Sequence, residues 1–309
     1  MTLKLSIVVP CFNEEESIPI FVSRVADFAA KICDSYELIF VDDGSTDCTL
    51  QVLRKLAKGD ARVRYISFSR NFGKEAALFA GLEAASSDLV CVMDADLQDP
   101  PNLLPIMAEA IINGGYDIAA ARRVSRKGEP IIRSFFAKLF YWLVNLISDV
   151  RIVEGARDFR LMKRQVVDAI LSLKEYGRFS KGLFQWVGFQ TKWIEYENVE
   201  RVAGRSKWNF WQLFLYSLDG IVAFSVKPLA IASILGVLLC LGAFIGILAI
   251  LIHTLIIGIP TNGWASTVSI ILFAVGLQLF CTGILGQYLS KIYLEIKRRP
   301  IYIVKETSS

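Results

Sequence analysis

The stretch DLVCVMDADLQDP, residues 88–100, decides how the rest of the chain is interpreted. Its apolar part, Leu89–Met93, predicts a short buried strand, and two carboxylates, Asp94 and Asp96, follow where that strand ends. In open α/β sheets, ligands bind at the carboxyl ends of the strands, and Mg²⁺ and Mn²⁺ prefer oxygen ligands. The pair therefore predicts a divalent-cation site. A purely structural alternative stays open at this point, because aspartates also cap turns and helices.

Strands and helices alternate on both sides of this stretch. We predict further strands at 6–10, 37–41, 63–68 and 116–121, and helices that end near 32, 58, 85 and 113. Asn13 is expected to cap the first helix, and Ser45 or Thr46 the second. This alternation predicts an α/β fold with a mostly parallel, doubly wound sheet.

Polar residues follow four of the predicted strands. The clusters are Asp42-Asp43, Arg70 to Lys74, Asp94-Ala95-Asp96 and Arg122-Arg123. Because the carboxyl ends of parallel strands meet at one edge, these acids and bases are expected to line one crevice. No Gly-x-Gly-x-x-Gly follows the first strand, and the sequence around Lys74 lacks the glycine of a P-loop, so both nucleotide-binding motifs are excluded.

The middle of the chain adds two segments with many aromatic residues. Residues 131–150 predict an apolar helix that is too short and too charged to span a membrane, so an interfacial helix and an ordinary core helix are both open. A strand at 158–162, helices ending near 173 and 187, and a strand at 191–199 follow. Residues 208–226 predict an amphipathic juxtamembrane helix after a polar loop, 201–207.

Two uncharged segments near the C-terminus predict a transmembrane hairpin within 227–290. The spans are placed at about 228–252 and 265–289, because each holds the roughly 20 apolar residues that cross a bilayer. Lys227 and the basic residues after 290 flank the spans, whereas the connecting loop has no Lys or Arg. This asymmetry predicts a multi-pass protein with both flanks in the cytoplasm.

Composition agrees with a cytoplasmic domain attached to a membrane. Hydrophobic residues make up 54% of the 309 residues, and the excess lies in the predicted spans. The six cysteines form no Cys-x-x-Cys pair, which favours reduced thiols. The N-terminus runs directly into a strand and predicts no signal peptide. A formal net charge of +4 weakly favours anionic membranes or phosphorylated ligands, and no nucleic-acid partner is expected.

Several ordered motifs together resemble a known family. They are Ser6–Pro10 with Asn13-Glu14, Val41–Asp47, Asn71–Lys74 and Asp94–Pro100. This set is similar to inverting family 2 glycosyltransferases with the GT-A fold. Asp158–Leu161, Gly204–Trp208 and the two spans resemble the polyprenyl-phosphate branch, which includes dolichol-phosphate mannose synthases and bactoprenol glucosyltransferases. The Gln-x-x-Arg-Trp motif of processive synthases is absent from the sequence.

The resemblance implies an arrangement of domains. A GT-A, Rossmann-like, nucleotide-sugar-binding domain would occupy residues 1–207, followed by the juxtamembrane helix, the hairpin and a cytoplasmic tail, 291–309. The protein would lie in the bacterial inner membrane. Similar bacterial enzymes are tetramers, so a homo-oligomer is expected, and glycines in the spans offer surfaces for close helix contact. The tail residues 300–304 have strand character and are expected to extend a neighbour's sheet.

The resemblance also implies roles for individual residues. Asp42 would face the nucleotide base, with Pro10 and Glu14 lining its pocket, and Lys74 would lie near the donor. Asp94, Asp96 and Gln98 would hold Mg²⁺ or Mn²⁺ on the donor diphosphate. Residues for the acceptor phosphate or leaving diphosphate would be Arg122, Arg133, Arg201 and Lys207. Contact of these basic residues with lipid headgroups remains an alternative for them.

Asp158 would lie near the reacting centre, but Glu154-Gly155-Ala156-Arg157 before it departs from the family pattern and leaves its local geometry open. The expected reaction is one displacement at the anomeric carbon by an anionic phosphate, which needs positioning more than a strong base. The only histidine, His253, lies in or beside a span and cannot act at the sheet edge. A hydroxyl acceptor would instead require an Asp or Glu carboxylate as general base, and Asp158 is the first candidate.

Two functions follow from this reading. The first is transfer of one hexose, with UDP-glucose the favoured donor, to undecaprenyl or another polyprenyl phosphate, giving a lipid-linked sugar for cell-surface glycans. The second is an inactive nucleotide-sugar or lipid-phosphate binding scaffold in the membrane. The intact set of Asp94, Asp96 and Lys74 favours the enzyme, and the loop 201–206 is expected to close over both substrates. The sequence leaves the sugar, the base and the acceptor length open.

Overall fold

The computed structural model describes residues 3–33, 35–124, 145, 153–197, 225–257 and 263–308. Eight strands in this part form one mixed sheet, β1 (Lys4–Cys11), β2 (Ser35–Asp42), β3 (Val63–Phe68), β4 (Leu89–Val92), β5 (Ile118–Arg123), β6 (Ala156–Lys163), β7 (Thr191–Tyr196) and β8 (Val304–Thr307). The helices are α1 (Ser17–Ala29), α2 (Thr49–Gly59), α3 (Lys74–Ala84), α4 (Leu103–Ile112), α5 (Arg164–Ser172), α6 (Ser180–Trp186), α7 (Lys227–Ile257) and α8 (Trp264–Ile296).

The sheet has the order β7-β5-β6-β4-β1-β2-β3-β8. Strands β1 to β4 are mutually parallel where they pair, β5 and β7 are parallel to each other, and β6 and β8 are antiparallel to their neighbours. The predicted mostly parallel α/β sheet is confirmed. This topology places the carboxyl ends of β1 to β5 and the amino end of β6 at one edge.

Helices cover both faces of the central strands, which explains their nearly continuous apolar sequences. On one face, Phe21 of α1 and Met107 of α4 pack in the cluster that holds Ile7 and Phe40. The opposite cluster is built around α3, α5 and α6. Helix α3 approaches the sheet closely at Gly81, where a Cβ atom would lie 2.2 Å from Val8 Cγ1. This close packing holds α3 directly against β1.

Helices α7 and α8 are long and apolar enough to cross a membrane over Lys227–Ile250 and Ile270–Ile296. Most of their described large apolar side chains are exposed, as expected for surfaces that face lipid. The two helices approach each other near the start of α7, where the Tyr288 hydroxyl of α8 donates to the Ser225 carbonyl at 2.6 Å. Both helices are longer than the predicted spans. Helix α7 ends at Ile257 rather than near 252, and α8 continues as a stem to Ile296 rather than ending near 289.

The C-terminal tail completes the sheet of its own chain. Strand β8 pairs antiparallel with β3, so the prediction that the tail extends a neighbour's sheet is wrong. The strand also begins only at Val304, the last residue of the segment 300–304 that was expected to form it. Helix α8 ends at Ile296, and β8 begins at Val304. This short connection allows the tail to reach strand β3 of its own chain.

The expected helix caps are also wrong. Helix α1 begins at Ser17, and the Asn13 side chain instead accepts from the Thr46 backbone N–H at 2.8 Å. Helix α2 begins at Thr49, whose N–H donates to Asp47 Oδ1 at 3.0 Å. The polar residues after β1 and β2 therefore join two loops rather than cap their own helices. The proposed interfacial helices at 131–150 and 208–226 lie outside the described residues, apart from the helical Asn145.

Candidate active site

Three charged side chains from distant parts of the chain meet at the carboxyl edge of the sheet. Lys74 is the first residue of α3, Asp94 follows β4, and Asp158 is near the start of β6. The Lys74 Nζ atom lies 2.7 Å from Asp94 Oδ1 and 2.6 Å from Asp158 Oδ2. The strand ends predicted that Lys74 and Asp94 share one crevice, and the family resemblance placed Asp158 near the reacting centre. The structure brings all three into direct contact.

The ion pairs set the charge states of this cluster. Burial opposes the charge on Lys74, but the carboxylates of Asp158 and Asp94 outweigh it and raise the pKa of the ammonium group. Burial likewise opposes ionisation of Asp158, yet Lys74 holds the pKa of that carboxyl well below its usual range. Asp158 is therefore an anion at neutral pH, and its basicity is weak as long as Lys74 stays in place.

The turn after β4 presents Asp96 and Gln98 beside this cluster. The Gln98 backbone N–H donates to Asp96 Oδ1 at 3.1 Å, which closes the turn. Leu97, between them, has a φ of 54°, a left-handed conformation that is strained for a residue with a Cβ atom. Asp96 therefore has the capping contact that the structural alternative predicted.

The three residues expected around the nucleotide base lie together at the ends of β1 and β2. Pro10 is in register with Val41, next to Asp42. Asp42 is buried and accepts from the Ser45 N–H at 3.0 Å and the Ser67 hydroxyl at 2.8 Å. Glu14 accepts from the Ser17 hydroxyl at 2.8 Å. Their contact with a base stays a prediction.

Asp43 has a structural role that the sequence did not reveal. It accepts hydrogen bonds from the backbone N–H groups of Phe72 at 2.6 Å and Gly73 at 2.9 Å. Burial outweighs these bonds and raises the pKa of Asp43 to about 6. The neighbouring Gly44 has a φ of 67°, and a Cβ atom there would lie 2.4 Å from the Arg70 carbonyl carbon. Asp43 and Gly44 thus fix the loop that leads into Lys74.

Of the four basic residues expected to bind phosphates, the structure describes Arg122. It lies at the end of β5 and donates to the Glu154 carbonyl at 3.1 Å and to Glu195 Oε1 at 3.2 Å. Arg133, Arg201 and Lys207 lie outside the described residues. Arg122 is therefore at the predicted edge, and the other three roles stay predictions.

The geometry agrees with comparisons to known proteins. The model of glycosyl transferase family 2 matches residues 6–171, more than half of the chain. The chain belongs to glycosyl transferase family 2. It is 44% identical over 303 residues to a bactoprenol glucosyl transferase of Shigella phage SfV, with 98% of each chain covered. It is also 44% identical over 307 residues to the putative glycosyltransferase CsbB of Bacillus subtilis, covering 98% of this chain and 92% of that protein.

The predicted family and its GT-A type of α/β fold are thus confirmed. Among solved structures, glucosyl-3-phosphoglycerate synthase of Mycobacterium tuberculosis, in complex with Mn²⁺, UDP-Glc and phosphoglyceric acid, has a TM-score of 0.48 and 22% identity. That likeness covers 71% of this chain and 78% of the synthase.

The side-chain oxygens of Asp94, Asp96 and Gln98 in this glycosyltransferase suit a hard divalent cation that is bound together with a diphosphate. The described residues contain no group of three or more His, Cys, Asp or Glu side chains that would hold a metal by themselves. Mg²⁺, however, is commonly bound by one or two carboxylates together with substrate phosphates and water. The carboxylates of Asp94 and Asp96 and the amide oxygen of Gln98 match that pattern.

The sequence did not predict two carboxylates of this glycosyltransferase, Glu75 and Asp99, which join elements next to the crevice. Glu75, next to Lys74, accepts from the backbone N–H and the hydroxyl of Ser180, and so joins α3 to α6. Asp99 accepts from Arg157 Nε at 3.0 Å and from the Tyr196 hydroxyl. The sequence before Asp158 departs from the family pattern and includes Arg157. No local pattern, however, identified Asp99 and Tyr196 as members of the same group.

Proposed function

We propose that the protein is a membrane-anchored, inverting glycosyltransferase that moves one hexose, glucose from UDP-glucose, to a polyprenyl phosphate. The observation that carries the proposal is the contact of Lys74 with Asp94 and Asp158 at the sheet edge, in a chain that also has two helices able to cross a membrane. The relatives named bactoprenol glucosyl transferases support the lipid acceptor and the sugar. The product would be a lipid-linked sugar for cell-surface glycans.

The chain's residues divide the reaction between two sides of the crevice. Asp94 and Asp96, with Gln98, would hold Mg²⁺ or Mn²⁺, which offsets the charge that develops on the leaving diphosphate. Pro10, Glu14 and Asp42 would hold the nucleotide at the ends of β1 and β2. These residues would hold the nucleotide part of the donor at the ends of β1 and β2, so that the anomeric carbon of the sugar faces Asp158.

The acceptor phosphate is an anion near neutral pH and attacks from the face opposite the leaving group. It needs positive charge to bring it beside the donor, which Arg122 supplies at the end of β5 together with Arg133, Arg201 and Lys207. The ionised Asp158, paired with Lys74, keeps that ammonium beside the reacting centre. No strong general base is required for this acceptor.

The membrane arrangement follows the charges around the hairpin. Lys227 precedes α7, and Lys291, Lys297, Arg298 and Arg299 lie at the end of α8 or beyond it. Both flanks and the catalytic domain are therefore assigned to the cytoplasmic side of a bacterial inner membrane. There the crevice meets a phosphate at headgroup level. A homo-oligomer, a tetramer in the favoured form, is part of the proposal.

The proposal is tested with the full-length protein in lipid nanodiscs that contain undecaprenyl phosphate. Incubation with radiolabelled UDP-glucose and Mn²⁺ is expected to give a labelled lipid, and labelled UDP-galactose and GDP-mannose measure donor preference. A catalytically inactive scaffold would bind nucleotide sugar and yield no labelled lipid from any donor. That result would overturn the enzyme assignment, whereas a product from another donor would correct the sugar.

A further inference from the structure

Arg157 joins three segments that meet at the carboxyl edge of the sheet. Its Nε atom donates to Asp99 Oδ1 at 3.0 Å, and its Nη2 atom donates to Gln98 Oε1 at 3.3 Å. Asp99 also accepts from the hydroxyl of Tyr196, the last residue of β7. One guanidinium therefore connects the start of β6 with the turn after β4, and Asp99 extends that connection to β7.

The connection is held in place by a buried charge. Asp99 is fully buried, and its Oδ2 atom has no hydrogen-bond partner in the described part of the chain. Removing one partner of a buried ion pair leaves an uncompensated charge and is strongly unfavourable. The guanidinium is thus anchored at Nε, and only its outer nitrogens remain to contact other groups.

The group that Arg157 contacts with an outer nitrogen is Gln98, in the turn that carries the carboxylates. The backbone of this turn is closed by the bond from Gln98 N–H to Asp96, but that bond does not fix the Gln98 side chain. Arg157 fixes its amide oxygen. An amide oxygen has two lone pairs, so the contact with Arg157 leaves one for a further partner.

We propose that Arg157 is a positioning residue that orients the Gln98 amide, and with it the turn of Asp94 and Asp96, for binding a cation with the donor diphosphate. The inference rests on the proposed function, because it assumes that a cation binds at this turn together with the donor diphosphate. Groups that orient a metal ligand from behind typically change metal affinity or activity by about 10- to 100-fold when they are removed. An effect of this size is expected although Arg157 itself touches neither cation nor substrate.

The test measures Mn²⁺ binding to the full-length protein in the presence of UDP, from the loss of the free-ion signal in electron paramagnetic resonance. Arg157→Lys keeps the charge but cannot reach both partners, and should weaken Mn²⁺ binding about 10-fold. Gln98→Ala should weaken it similarly. The double variant should be no weaker than the worse single variant, because both changes remove the same oriented oxygen. Arg64→Lys, which alters an arginine paired with Glu37, is the matched control and should bind normally.

Two results would overturn the inference. Full additivity of Arg157→Lys and Gln98→Ala would show that the residues act separately. Equal weakening of UDP binding without Mn²⁺ would show that Arg157 touches the nucleotide directly. If Arg157→Lys does not fold, Tyr196→Phe removes only the hydroxyl that supports Asp99; it should weaken Mn²⁺ binding a few-fold and be non-additive with Gln98→Ala. Because binding is measured, the result stands even if no lipid acceptor is glycosylated.

Discussion

Asp94 and Asp96 belong to one motif but have different surroundings at the residue scale. Asp94 is paired with the Lys74 ammonium, whereas the Asp96 carboxylate closes the turn by accepting from Gln98 N–H. Asp96→Asn keeps an oxygen for that bond and removes one negative charge. The turn should therefore survive, while binding of a divalent cation should not.

For Asp96→Asn we expect turnover to fall at least about 100-fold, which corresponds to about 3 kcal/mol of barrier. The thermal unfolding temperature should change little. Sugar transfer and unfolding are measured on the same preparation, beside Asp168→Asn, which alters an exposed carboxylate paired with Arg164. Near-normal transfer by Asp96→Asn would return this residue to a purely capping role.

Asp43 makes a prediction about pH. Its folded-state pKa of about 6 lies above the ordinary value of 3.8, so the native state binds more protons than the unfolded state between these values. Stability therefore falls as pH rises from about 4 to 6, by up to about 3 kcal/mol from this group.

Asp43→Asn cannot ionise and should remove this loss. Melting temperatures of wild type and variant, measured from pH 4 to 7, should diverge in favour of the variant as the pH rises. The comparison of the two proteins cancels the titration of groups that do not interact with Asp43. A constant difference across this range would contradict the raised pKa.

At the scale of elements, the tail segment around Tyr302 attaches the membrane stem to the catalytic domain. The Tyr302 ring stacks on Phe68 with centroids 4.9 Å apart, and its hydroxyl donates to Glu83 at 2.6 Å. Arg54 adds an ion pair to Glu306 of β8, with Nε 2.8 Å from Oε1. Because the ring is partly buried, it contributes more than the exposed ion pair.

Tyr302→Ala is expected to destabilise the protein by about 2 kcal/mol, and Tyr302→Phe by about 1 kcal/mol through loss of one hydrogen bond. Urea unfolding of both variants, followed by tryptophan fluorescence, checks this order. The Arg54→Met variant should lie within about 1 kcal/mol of wild type. An Arg54→Met variant less stable than Tyr302→Ala would contradict the packing argument.

Local patterns predicted the elements but not the contacts between distant ones. The apolar run before Asp94 and the alternation of strands and helices were sufficient for the sheet and for its functional edge. The caps failed because the partner of Asn13 is Thr46, far along the chain. The contact between Arg157 and Asp99 was missed for the same reason. Pairing of such separated groups depends on the assembled sheet.

At the scale of the whole molecule, the catalytic domain and the membrane hairpin are interdependent. Glu295, near the end of α8, accepts from the Tyr176 N–H at 2.8 Å, in the loop before α6. Strand β8 lies beyond the hairpin in the sequence and within the sheet in space. Removing everything after α6 and β7 would thus delete the anchor and one edge of the sheet together.

A truncation at residue 226 is expected to retain nucleotide binding but to lose at least about 90% of transfer to acceptor in bilayers, because the crevice is no longer held at the lipid surface. A second protein that lacks only 300–309 separates the two effects, since it keeps both spans and loses β8. Labelled lipid formed in nanodiscs is the readout. If the truncated domain matched the full-length rate, the hairpin would be dispensable for catalysis.

The position of β8 also has a consequence for biosynthesis. Strand β3 ends at Phe68, and its edge partner begins at Val304, 236 residues later. At about 5 to 20 residues per second, the ribosome needs roughly 12 to 50 s to make the intervening chain. During that time the apolar helices α7 and α8 are synthesised, while the β3 edge stays without its partner strand. The strand that covers the β3 edge is therefore translated only after both long apolar helices.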